Sequence, residues 1–120
     1  MLANAEEFYG LLELPYRIVN VCTGDIGTVA AKKYDLEAWF PVQEAYREVV
    51  SCSNCTDYQA NALNIRGGKY GGKKTVVHTL NSTLMPDTRT IVALAENFQR
   101  EDGSIRLPKA LQEYCGFKEL

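Results

Sequence analysis

Between Ala3 and Leu14 the apolar residues Phe8, Leu11 and Leu12 recur at helical spacing, and Pro15 closes the segment, so the chain is expected to open with a short amphipathic helix. Four runs rich in β-formers follow: Tyr16–Cys22, Lys33–Phe40, Ala45–Cys52 and Thr75–Thr83. Turn-like CTGDIG, PVQE and a glycine-rich stretch separate them. Between the third and fourth runs, Asn54–Ile65 reads as a helix with Asn54 as N-cap and Tyr58, Ala62 and Ile65 on one side. Pro86 and Asp87 open a longer helix to about Arg100, with Ile91, Leu94, Ala95 and Phe98 as its core stripe. Pro108 starts a last short helix that ends near Gly116. Adjacent strands are joined too closely for regular βαβ crossovers, so the pattern predicts an α+β fold, a mainly antiparallel sheet with helices packed on one face.

Composition narrows the class. The chain has 120 residues, 46% hydrophobic and 23% charged, enough for one core and no more than one domain over residues 1–120. Its net charge of −2 supplies no long-range attraction to phosphate, so any contact with RNA has to be local. No apolar run approaches the roughly 20 residues of a bilayer span, which excludes membrane insertion. Cys22, Cys52, Cys55 and Cys115 lack a framework spacing, and the first residues lack the basic segment of a signal peptide. A reducing, cytoplasmic location is the expectation.

Three places carry candidate chemistry. A period of two along the fourth strand puts Thr79, Asn81 and Thr83 on one face and Val76, His78 and Leu80 on the other. The first row is a wall for a small polar ligand or an ordinary exposed sheet face; the second is mostly core. Arg89 falls in the first turn of the helix after Pro86, where the macrodipole disfavours a cation, on the side of Val92, Ala93 and Glu96. It fits an anionic ligand such as a phosphate, or else an ion pair with Asp87 or Glu96. Glu48 and Ser51 offer hard oxygens to Mg²⁺ carrying nucleotide phosphates. Three residues apart, they face opposite sides of a regular strand, so sharing a metal requires a bulge between them or an end to the strand; otherwise Glu48 is one more solvated charge.

Two other motifs read as bland. Cys52-x-x-Cys55 is half of a zinc site or a redox pair, but Cys22, Cys115 and His78 do not supply the other half, and small buried thiols are the better reading. Gly67–Lys74, GGKYGGKK, comes within one residue of a phosphate-binding GxxxxGK[ST] loop, with Lys74 in the Ser/Thr place. It follows a helix and enters a strand, the reverse of what that loop needs, so it reads as a flexible basic loop.

The stretches Tyr46–Cys55 (YREVVSCSNC) and His78–Arg89 (HTLNSTLMPDTR), with LPYRIVNVCTGDIG, KKYDLEAWFP and TRTIVALAENFQREDGSIRLPKAL around them, resemble the seryl-tRNA synthetase family. The resemblance runs from Leu14 to about Leu111, corresponds to the C-terminal half of that family's catalytic domain, and is weakest over Gly67–Thr75. It implies a class II synthetase architecture and the reaction of serine with Mg·ATP to seryl-adenylate, followed by seryl transfer to tRNA. Carried over by position, Glu48, Val49, Val50 and Ser51 match the ATP-contacting segment, with Glu48 and Ser51 as Mg²⁺ and phosphate ligands. Asn81 and Thr83 match the serine pocket, and Arg89 the arginine of the third class II motif, which grips ATP. Asn81-Ser82-Thr83-Leu84 stands where the family often has Asn-Gly-Ser-Gly, and Asn61-Ala62 where it often has two arginines.

The same resemblance implies a larger protein that is a homodimer and takes serine tRNA through an N-terminal region with no counterpart here, nor is there one for the second motif's arginine. The isolated chain is therefore expected neither to adenylate serine nor to charge tRNA. The five residues Glu48, Ser51, Asn81, Thr83 and Arg89 are expected to converge on one hollow. Two other readings remain: a synthetase-like paralogue that passes an amino acid to a carrier protein, and a non-catalytic binding module using the CxxC pair or the lysine-rich loop.

Overall fold

The computed structural model describes residues 1–120. Helix α1 (Leu2–Leu11) leads into a four-stranded antiparallel sheet, β1 (Tyr16–Asn20), β2 (Lys32–Phe40), β3 (Ala45–Thr56) and, after a detour, β6 (Thr79–Ser82), in the spatial order β1-β2-β3-β6. The detour holds a one-turn helix α2 (Tyr58–Ala62) and a two-stranded ladder of β4 (Arg66–Gly67) and β5 (Thr75–Val76). Helices α3 (Asp87–Phe98) and α4 (Lys109–Cys115) complete the chain. This is the α+β, antiparallel arrangement that the pattern predicts. No helix is long and apolar enough to cross a membrane.

The core lies on one face of the sheet. Leu36, Ala38 and Phe40 alternate along β2 and meet Val49 and Val50 of β3, Ala5 and Tyr9 of α1, Leu12 just after it, and Ala93 of α3. Burial of these aliphatic and aromatic side chains stabilises the layer by about 1.5–3 kcal/mol for each large one. Polar groups fix how the helices sit on it. The Tyr9 hydroxyl and Thr90 Oγ1 are 3.0 Å apart in the buried layer, and Asn97 Nδ2 donates to the carbonyls of Trp39 (2.9 Å) and Ala93 (2.8 Å). These bonds set the side of α3 that meets the sheet. Leu94 and Phe98 of the expected stripe pack against the core, and the correction concerns Ile91, which is 64% exposed while Thr90 and Ala93 are buried, because small Ala93 permits close approach and the two polar anchors outweigh one isoleucine.

Two further expectations are corrected. Asn54–Ile65 is not one helix: β3 continues to Thr56, and α2 starts only at Tyr58. The Asn54 side chain does accept a backbone N–H, but that of Thr56 at 3.0 Å, so it closes a local turn at the strand end, where Thr56 has φ 46°, instead of capping a helix. Nor is Thr75–Thr83 one strand. Its first part pairs with β4 and its second with β3. The face expected to be core is solvated there, with His78 exposed and Leu80 62% exposed, because β6 is an edge strand over which no helix of this chain lies deeply.

Candidate functional site

The other face of the sheet is polar, and one irregularity makes it so. Leu36 pairs with Val50 and Glu37 with Glu48, leaving Val49 as an extra residue in β3. The bulge turns two consecutive valines into the core, 2% and 1% exposed, and returns Glu48 and Ser51 to the same side, opposite Glu37 and Asp35 respectively. The distortion that a shared ligand needs thus lies between the two residues. The side chains of Val49 and Val50 are sealed in the core, so only their backbone can meet a ligand.

Arg89 comes to this place from α3. Pairing between β3 and β6 covers Cys52 to Thr56 only, so the Glu48 carbonyl lies on an open edge, where it accepts a hydrogen bond from Arg89 Nη1 at 3.0 Å. The Glu48 carboxylate is 3.9 Å from the same guanidinium, both side chains being about half exposed. The alternative partners are occupied: Asp87 accepts from the Thr88 N–H and Glu96 from the Val42 N–H. Glu48 and Arg89 line a hollow of about 610 Å³ with Glu37, Tyr46, Arg47 and Thr88. Near its rim Arg17 bonds Glu37 at 2.6 Å and lies over the Tyr46 ring at 4.6 Å.

The remaining candidates lie further along. Asn81 pairs with Ser53, two residues on from Ser51, and is exposed. Thr83 follows the last paired residue of β6 and borders a separate hollow of about 150 Å³ with Met1, Asn4, Ser82 and Leu84. Convergence on one hollow is therefore corrected: Glu48 and Arg89 share it, Ser51 and Asn81 extend the same sheet face, and Thr83 stands apart. The physical reason is the short β6, whose ladder ends at Ser82 and frees the chain at Thr83 to turn toward α1.

Sequence reasoning missed Asp35. It is 7% exposed, pairs across with Ser51, and its Oδ1 has no hydrogen-bond partner; Lys33 Nζ is 3.5 Å from Oδ2. Burial first, then the nearby Glu48 carboxylate, pushes its carboxyl above the usual range, with Lys33 opposing. The signal was present in YDLE, where Asp35 and Glu37 are two apart on a strand and so share a face. The cysteines are all free thiols, Cys55 buried as the extra residue of a second bulge and Cys52 opposite Tyr34.

Residues 1–98 match the tRNA synthetase class II core domain of the G, H, P, S and T enzymes. The chain belongs to this class II synthetase family. It is 60% identical to the serine–tRNA ligase of Thermococcus sibiricus and 59% identical to that of Pyrococcus horikoshii, each over 121 aligned positions. It covers 27% of the length of those ligases. The solved seryl-tRNA synthetase of P. horikoshii complexed with ATP superposes with a TM-score of 0.93 at 60% identity, over 98% of this chain and 27% of that one. The cytoplasmic serine–tRNA ligase of Naegleria fowleri in complex with AMP does so at 0.89 and 46%, over 99% of this chain and 28% of that one. The antiparallel sheet with flanking helices is thus the class II catalytic fold, and the resemblance to seryl-tRNA synthetases holds over the whole chain.

Proposed function

We propose that this chain is the ATP- and serine-binding part of a serine–tRNA ligase, working in the cytoplasm as part of a larger homodimeric protein. The observation that carries the reading is the Arg89–Glu48 contact across the open end of β3, beside a bulge that brings Ser51 to the same face. A guanidinium held by a carbonyl keeps further N–H groups for phosphate oxygens.

The donor set suits Mg²⁺. Glu48 and Ser51 supply hard oxygens on one face, which suits an ion held largely by nucleotide phosphates. An ion held by Glu48 and Ser51 would supply neutralisation of the phosphate charge. Adenylation asks little proton transfer of the protein, because the serine carboxylate is already a nucleophile. Arg89 orients the triphosphate, Glu48 and Ser51 hold the ion, the backbone of Val49 and Val50 borders the nucleotide, and Asn81 receives serine.

The test is serine-dependent ATP–pyrophosphate exchange by this chain joined to the N-terminal remainder of the T. sibiricus ligase. Exchange by the chimera and none by the chain alone is expected, together with an about 10²–10³-fold loss in Arg89→Ala. Exchange that survives Arg89→Ala intact would refute the assignment. Charging of a carrier protein instead of tRNA would give the paralogue reading.

A further inference from the structure

The lysine-rich loop is a built hairpin. Arg66 pairs with Val76 and Gly67 with Thr75, and the base is tied to α2 by Arg66 Nη1, which donates to the Ile65 carbonyl at 3.2 Å and the Ala60 carbonyl at 3.5 Å. Two glycines are required by its shape. A Cβ at Gly67 would lie 2.6 Å from Val77 Cγ1, and at Gly68, φ 150°, it would lie 2.6 Å from the Lys73 carbonyl oxygen. The tip is a turn closed by the Gly72 N–H on the Lys69 carbonyl at 3.0 Å, with Gly71 at φ 74°. Tyr70 at its apex is wholly solvated, at 106% relative exposure.

Charge is segregated here. Arg66, Lys69, Lys73 and Lys74 fall within nine residues with no acid among them, and none makes a salt bridge, whereas five of the nine cations elsewhere do. Outside the hairpin nine cations face fifteen acids, so this is a cationic projection on an acidic body. Segments 67–73 contain no aliphatic side chain to enter a lipid surface. Cations interleaved with an exposed aromatic, on a glycine backbone that lets a phosphate approach, match single-stranded nucleic acid. The hairpin also leads directly into β6, the strand that carries Asn81.

We propose that this hairpin binds RNA, with Lys69, Lys73 and Lys74 on backbone phosphates and Tyr70 stacked on an unpaired base, so that this chain adds its own contact to the acceptor. The identity of that RNA as tRNA rests on the function proposed above. In the chimera, binding of a fluorescent serine tRNA transcript is followed by anisotropy over a range of KCl. The K69Q/K73Q/K74Q variant is expected to bind about tenfold more weakly at 0.1 M salt and to lower the slope of log K against log salt by about 2. Tyr70→Ala is expected to weaken binding at least about fivefold with the slope unchanged, and Tyr70→Phe to bind as the parent does. Serine-dependent exchange should stay at the parent level in all three. Unchanged affinity and slope in the lysine variant overturn the proposal; so does retained tRNA binding with lost binding to phosphatidylserine vesicles. A parent chimera that binds tRNA through the hairpin yet shows no exchange refutes the ligase reading and leaves the RNA contact standing.

Discussion

Asp35 shows how a single side chain trades stability for a polar face. An apolar-facing carboxylate would be excluded from the core, and this one instead lies on the opposite face, nearly covered by its neighbours, with one oxygen unpaired. Leaving such an acceptor unsatisfied costs about 1–3 kcal/mol. Asp35→Asn, which removes the charge beside Glu48 and Glu37, is expected to raise the thermal unfolding midpoint at neutral pH by several degrees; an unchanged or lower midpoint in calorimetry would contradict this. Tyr9 and Thr90 are the converse case, a buried polar pair that is satisfied. Tyr9→Phe leaves the Thr90 hydroxyl without its partner, and denaturant unfolding should show a loss of about 1–2 kcal/mol.

At the scale of elements, the bulge in β3 and the docking of α4 decide what is held where. Deleting Val49 would restore a regular ladder in which Glu48 and Ser51, then two residues apart, keep the same face, while one of the two core valines is lost. The expected outcome is a loss of stability of about 1.5–3 kcal/mol in denaturant unfolding, from the missing buried side chain, and unchanged stability would contradict the account. Helix α4 is anchored by Glu13, which accepts the Lys109 N–H at 2.9 Å and Arg106 Nη2 at 3.0 Å. The Lys109 N–H first, then Arg106, hold its carboxyl below the ordinary 4.5. A lowered folded value means the contribution is present above about pH 4.5 and lost as the pH falls below it. The stability difference between the parent and Glu13→Gln should therefore shrink on acidification through that range, as followed by unfolding midpoints. A difference independent of pH would show that the carboxylate is not what anchors the helix.

The molecule as a whole is long and thin, 64 × 35 × 19 Å with a radius of gyration of 18.7 Å, against roughly 13–14 Å for a compact domain of this length. Leu80 on the edge strand β6, Leu84 and Met85 just after it, and Ile91 and Val92 of α3 are exposed. An open edge next to apolar side chains is a template for association. Sedimentation of the isolated chain is expected to show concentration-dependent self-association that Leu80→Lys with Ile91→Lys reduces, and a strictly monomeric parent at high concentration would count against it.

The amino-acid order alone determined the elements with strong local signals: the alternation in Lys33–Phe40, the proline starts at Pro86 and Pro108, and the residue types of Glu48, Ser51 and Arg89 that suit metal and phosphate. Local spacing suffices for these because a period of two or 3.6 is written in consecutive residues. Only tertiary structure decided that Val49 is the extra residue in the ladder, that Arg89 takes the Glu48 carbonyl and not Asp87 or Glu96, that Asp35 is buried, and that Ile91 faces water. Each of these depends on a partner more than ten residues away, and no short window records which neighbour a side chain will meet.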